Sequence, residues 1–175
     1  MAAMVQIPSS QLLSFYSQTS NLSTPFPNPF SVPDSDLILI FGPLTAVAPT
    51  LRNWIPHALL RVWEDAFLLV TENKKVMPFP DITYRDSIHP IQISVESEKG
   101  PDGKNLVVSS TVADAITGIM YYMLHEGFST TKINLVRPNQ VGRRMRVGLI
   151  NITQRSELEM MAEARNAINA AAATS

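Results

Sequence analysis

The segment DITYRDSIHP, residues 81–90, places Asp81, Tyr84, Arg85, Asp86 and His89 within nine positions, the densest polar cluster in the chain. A carboxylate beside an imidazole, such as Asp86 with His89, is the pairing that general acid–base catalysis uses. A loop leading into a strand has the same composition, so the cluster defines a place to look rather than a site. The other two histidines are His57 and His125. His125 falls in the last turn of an expected helix, where the helix dipole favours a cationic ring without any catalytic role. Glu64 and Asp65 are adjacent in a helical stretch, so their carboxylates diverge by about 100° and cannot share a proton. Glu96 and Glu98 flank a turn and read as solvated.

Four arginines, Arg137, Arg143, Arg144 and Arg146, crowd the turn of an expected hairpin, with Lys132 on its first strand. Such a stripe suits an anion, a nucleic acid or the carboxylates of a partner. Recognition of single-stranded nucleic acid also uses interleaved aromatic rings, and the residues between these arginines are Val141, Met145 and Val147. Gly-x-Ser-x-Gly, Walker, Gly-x-Gly-x-x-Gly and His-Glu-x-x-His motifs are all missing from the sequence. No cluster has metal-ligand spacing. The chain has no cysteine, which excludes disulfides, thiolate metal sites and a Cys nucleophile. These residues therefore assign no catalytic group, cofactor or metal, and they favour a non-enzyme.

Elements that would position these residues follow from periodicity. DLILIFG, residues 36–42, reads as a buried strand closed by Gly42-Pro43. Residues 56–71 read as a helix with Pro56 in its first turn and Leu59, Leu60, Trp63, Ala66, Phe67 and Val70 on an apolar face. Ile91, Ile93 and Val95 alternate ahead of a Gly-Pro-Asp-Gly turn, and a return strand at 106–109 would complete a hairpin. Thr111 and Asp114 form an N-cap pattern before a helix bearing Val112, Ile116, Ile119, Met120 and Met123, closed by Gly127. A second hairpin carries Ile133 and Leu135 and turns at 138–142. Ser156 and Glu159 then form a capping box for a last helix, which ends in an Ala-rich tail. The order strand, helix, hairpin, helix, hairpin, helix predicts an α+β fold. Its antiparallel sheet would be built largely from two hairpins, with helices packed on one face and an extended N-terminal arm.

Residues 110–136, STVADAITGIMYYMLHEGFSTTKINLV, carry a helix ending in Gly-aromatic that feeds a strand. In this they resemble a segment of uncharacterised α+β proteins of filamentous fungi. The resemblance implies the same fold class and brings no activity or site residue with it.

The remaining signal is the beginning of the chain. Residues 1–33 contain no Lys, Arg, Asp or Glu and five of the 13 prolines. Pro25, Pro27 and Pro29 alternate with Phe26 and Phe30, which predicts a stiff extended strap, and Leu12, Leu13, Phe15 and Tyr16 suit a short helix that needs a surface. Free disordered segments carry charge and few aromatics, so an arm of this kind is expected to dock. At about 25 cal/mol per Å2 its apolar area would contribute several kcal/mol before ordering costs. The 175 residues thus divide into an arm, 1–33, and one α+β domain, 34–175. A net charge of −1 gives no global field for nucleic acid or anionic membrane. No apolar run is long enough to span a bilayer. Lack of cysteine and of signal-peptide features points to an intracellular, cytoplasmic protein, unless a leader has been removed.

The reading that follows is a non-catalytic interaction or assembly protein, a homo-oligomer or a subunit of a larger complex. Leu12, Leu13, Phe15, Tyr16, Phe26 and Phe30 would bind the partner, which is itself or another protein. Alternatives are a small enzyme or ligand-binding protein with a site near residues 81–89, and an RNA- or anion-binding module using the arginine hairpin.

Overall fold

The computed structural model describes residues 26–72, 77–85, 90–139 and 141–173. In chain order the elements are β1 (Phe30–Ser31), β2 (Ile38–Phe41), β3 (Thr45–Ala46), α1 (Pro49–Arg52) and α2 (Trp54–Thr71). They continue with β4 (Ile82–Arg85), β5 (Ile91–Ser97), α3 (Ser109–Glu126), β6 (Ser129–Pro138), β7 (Arg144–Gln154) and α4 (Glu157–Ala173). The fold is α+β, with one antiparallel sheet in the order β1-β2-β6-β7-β5-β4 and β3 beside β6. No described helix is long and apolar enough to cross a membrane.

The β6–β7 hairpin forms as its alternation predicts and supplies the two longest strands. Its turn is fastened by Asn139, whose Oδ1 accepts from the N–H groups of Val141 at 3.0 Å and Arg143 at 2.8 Å. Register brings Leu39, Leu135 and Gly148 into one row, and Phe41, Ile133, Ile150 and Val95 into the next. Strand side chains alternate between faces, so both rows lie on the same side. There they meet Ile55, Leu59 and Val62 of α2 and Val112, Ile116, Ile119 and Met123 of α3, all fully buried.

The first expected hairpin forms only around its turn, without a return strand. β5 forms, but its neighbours are β4 and β7. Residues 98–106 keep the turn through the bridge of Lys99 with Asn105, with Leu106 N–H donating to the Glu98 carbonyl at 2.9 Å and Gly100 N–H to the Lys104 carbonyl at 2.8 Å. Val107 is drawn into the core, and Phe79 N–H donates to its carbonyl at 2.8 Å, so the segment pairs with 77–79 instead. For the same reason α3 begins at Ser109. Thr111 lies buried in its first turn rather than capping it, and Asp114 accepts a hydrogen bond from Ser35 Oγ at 2.9 Å. The other end agrees with the sequence: Gly127 takes φ 96° and donates to the Met123 carbonyl at 2.8 Å. Gly118 has a packing role. A Cβ there would stand 2.7 Å from Val32 Cγ2 and 3.0 Å from Leu39 Cδ1.

The proline segment docks on its own domain. Phe26 and Phe30 pack against Tyr121 and Tyr122, and Phe26 lies 4.3 Å, centroid to centroid, from the His125 ring. Phe41 stacks on Tyr122 at 3.8 Å, so six rings gather at the end of α3. Phe30 and Val32, upstream of position 34, are buried in the same core as Leu37 and Leu39. Asn28, joined to Pro29 by a cis peptide bond, extends the β1–β2 pairing with its side chain. Its Nδ2 donates to the Phe41 carbonyl at 2.8 Å, and its Oδ1 accepts from Phe41 N–H at 3.0 Å. Glu126 Oε1 accepts from Phe26 N–H at 2.7 Å and lies 2.9 Å from His125 Nδ1.

Two predictions follow from this packing. Phe30→Ala removes a buried ring and is expected to cost about 3–5 kcal/mol, read from the urea midpoint at unchanged m-value. The Glu126 carboxyl is held below its ordinary 4.5, first by the Phe26 N–H and then by His125. Because its folded pKa is depressed, its contribution is complete above about pH 4.5 and fades as pH falls through the folded value. The stability gap between the native chain and Glu126→Gln should therefore be open at pH 7 and close in acid. A gap independent of pH would refute the linkage.

Candidate functional site

Spacing on α2 lines one wall of a cleft with polar and aromatic side chains. Trp54, His57, Arg61 and Glu64 recur at three and four residues and so lie along one stripe of the helix. That stripe faces Tyr84 of β4 and Ile91 of β5 across a cleft of about 360 Å³, with Ala58 and Leu60 completing its lining. The Trp54 and His57 rings are 5.7 Å apart, and Arg61 Nη1 donates to Glu64 Oε2 at 3.3 Å on the exposed rim. One indole, one phenol, an imidazole, a guanidinium and a carboxylate therefore share an opening of small-molecule dimensions. The arrangement can hold a compact, partly aromatic ligand and orient it by charge.

Of the cluster at 81–90, the described members Asp81, Tyr84 and Arg85 take separate partners. Tyr84 reaches the cleft, whereas Asp81 Oδ1 accepts from the Ser97 N–H at 2.8 Å and secures β4 to the end of β5. Arg85 points its Nη1 at Glu163 of α4, 2.9 Å away. Asp86 and His89 lie outside the described residues, as do Leu12, Leu13, Phe15 and Tyr16. Among the described residues no three His, Cys, Asp or Glu side chains converge as metal ligands.

Two of the four hairpin arginines have partners inside the chain. Arg137 Nε lies 3.0 Å from Asp36 Oδ1, and Arg146 pairs with Glu98 while also reaching Asn134. Arg143 and Arg144 stand exposed at the tip without an ion partner among the described residues. Lys132 is exposed and lines a shallow depression with Asn151 and Thr153. Of the expected anion-binding set, the tip thus offers two uncommitted guanidinium groups.

Three of the exposed large apolar side chains among the described residues lie on α4. The helix starts as its sequence predicts: Ser156 N–H donates to Glu159 Oε2 at 2.8 Å, and Glu159 N–H donates to Ser156 Oγ at 3.3 Å. The Ser156 N–H, and after it the Ser156 hydroxyl at 3.0 Å, donate to the exposed Glu159 carboxylate and hold it below its ordinary value. Glu163 fixes the helix to the body by accepting from Arg85 and from Arg155, whose side chain is 5% exposed, at 2.9 and 2.5 Å. Met160 and Glu163 are half-buried. On the opposite side Leu158, Met161 and Ile168 are 80%, 67% and 68% exposed. Single exposed apolar residues are normal, but three on one stripe of one helix form a patch. This surface was missed in the sequence, although the spacing of 158, 161 and 168 carries it.

No family model matches the chain, and neither curated proteins nor solved structures gave a match. The likeness of residues 110–136 to fungal proteins finds no support in those comparisons.

Because the cleft holds Trp54 while Trp63 stacks on Phe67 at 4.5 Å, occupancy is readable by indole fluorescence. With benzoate and benzylamine as anionic and cationic aromatic probes, a saturable change in emission is expected for at least one of them. It should persist in Trp63→Phe and disappear in Tyr84→Ala. Emission that stays flat with both, or that ignores Tyr84→Ala, would mean the cleft selects nothing.

Proposed function

We propose that this is a non-catalytic protein that works by association, as a homo-oligomer or as a subunit of a larger assembly, through α4. The observation that carries this reading is the exposed stripe Leu158, Met161 and Ile168 on a helix that the body holds by its other side. A helix anchored by a nearly buried arginine yet presenting large apolar side chains outward is arranged to meet another surface. The strap serves this reading less well than its sequence promised. Phe26 and Phe30 spend their rings on Tyr121, Tyr122 and His125 of the same chain, and only residues upstream of 26 are left to act as a partner-binding arm.

Ligand binding in the cleft of Trp54, His57, Arg61 and Tyr84 is the second reading, supported by the convergence of those polar groups on one opening. It is compatible with the first. The arginine hairpin receives less support as an anion site, since Asp36 and Glu98 already neutralise Arg137 and Arg146.

Light scattering after gel filtration tests the association reading. The full chain is expected to exceed its single-chain mass of 19.3 kDa, and Ile168→Glu is expected to lower the measured mass at unchanged far-UV circular dichroism. A mass that Ile168→Glu leaves untouched would remove α4 as the contact element.

A further inference from the structure

Leu158, Met161, Arg165, Ile168 and Ala172 follow one another at intervals of three, four, three and four residues. That is the a and d spacing of a helix that packs lengthwise on another helix, continued over both heptads that α4 contains. All five positions lie away from the Met160–Glu163 side that faces the body, and all are exposed. Small residues flank the seam at Ala162, Ala164 and Ala171, so a second helix can approach closely. Arg165 sits in the middle of the seam, exposed and without an ion partner among the described residues.

We propose that α4 docks on α4 of a second copy of this chain, with the two helices antiparallel. This rests on the association reading above and names its partner. Charge and polarity choose the direction. A parallel pair would set Arg165 against its own copy at the centre of the seam. In an antiparallel pair, Leu158 faces the partner's Ile168, and Met161 faces the partner's Arg165. The guanidinium then lies about one turn from the partner's Glu157, and the two helix dipoles oppose. A two-fold axis through the middle of the seam makes the contact self-complementary and closed, as dimers require. The helix of 17 residues is about 25 Å long, which places the interface at the small end of stable contacts. The dimer is accordingly expected to dissociate in the micromolar range.

The absence of natural cysteine makes the geometry directly measurable. Two variants of the full chain, Leu158→Cys and Ile168→Cys, are mixed and oxidised, with far-UV circular dichroism checking that both remain folded. Both positions are more than two-thirds exposed, so neither substitution disturbs the core. An antiparallel seam predicts that the mixed pair crosslinks at least tenfold more than either variant alone, with the bond mapped between position 158 of one copy and 168 of the other. Crosslinking of Leu158→Cys to itself in preference would overturn the proposal in favour of a parallel pair. A dimeric mass with no crosslink in any mixture would overturn it while leaving association through another surface standing. A chain that remains at 19.3 kDa up to about 0.2 mM would overturn the proposal and remove self-association with it.

Discussion

Backbone pairing between β6 and β7 is the constraint on which the other elements depend. β2 attaches to the outer flank of β6 and β5 to the outer flank of β7, and through them come β1 and β4. The two central strands flank one short turn, so this ladder, with one register shift between Leu135 and Val136, forms between residues close in sequence. The other pairings close much longer loops: β2 reaches β6 across more than ninety residues. Such closures carry entropic costs that grow only slowly with length. A local pair that presents finished edges is a template on which they can be made. The rows of Leu39, Leu135, Ile133 and Val95 then give α2 and α3 one continuous apolar floor.

Much of this was legible from residues. Periods of two and of three to four located β2, β5, β6, β7 and the three long helices, and the capping box at Ser156 and the C-cap at Gly127 are where the chain chemistry puts them. What failed was long-range. Leu106–Ser109 has the composition of a return strand, but Val107 is recruited to the core by 77–79, a segment with no strand signal of its own. No local pattern ranks one apolar tetrapeptide above another as the partner of β5; burial does. The strap illustrates the reverse case. Its prolines and phenylalanines foretold a docked extended segment, and only tertiary structure supplied the surface, the tyrosines of α3.

The candidate surfaces divide in the same way. The stripe on α4 is a local property of one helix, written in the intervals between its residues. The cleft is not: Tyr84 and Trp54 are thirty positions apart, and their meeting depends on β4 lying at the margin of the sheet beneath α2. Within the described part of the 81–90 cluster, neighbours in sequence go to different places. Alternation along β4 sends Tyr84 and Arg85 to opposite faces, one to the cleft and the other to α4. A dense run of polar residues in a strand is thereby split between two jobs.

Asn28 has a consequence for how the sheet meets other proteins. Its amide presents one donor and one acceptor to Phe41, the pair that a further strand would offer. With β1 only two residues long, this side chain seals the neighbouring stretch of β2 against invasion by a foreign backbone. Unfinished hydrogen-bonding edges recruit such strands and nucleate aggregates, and here a single amide closes one of them. Across the sheet, β4 has no such stopper among the described residues. It is the other terminal strand of the sheet, and its Arg85 ties that margin to Glu163 of α4.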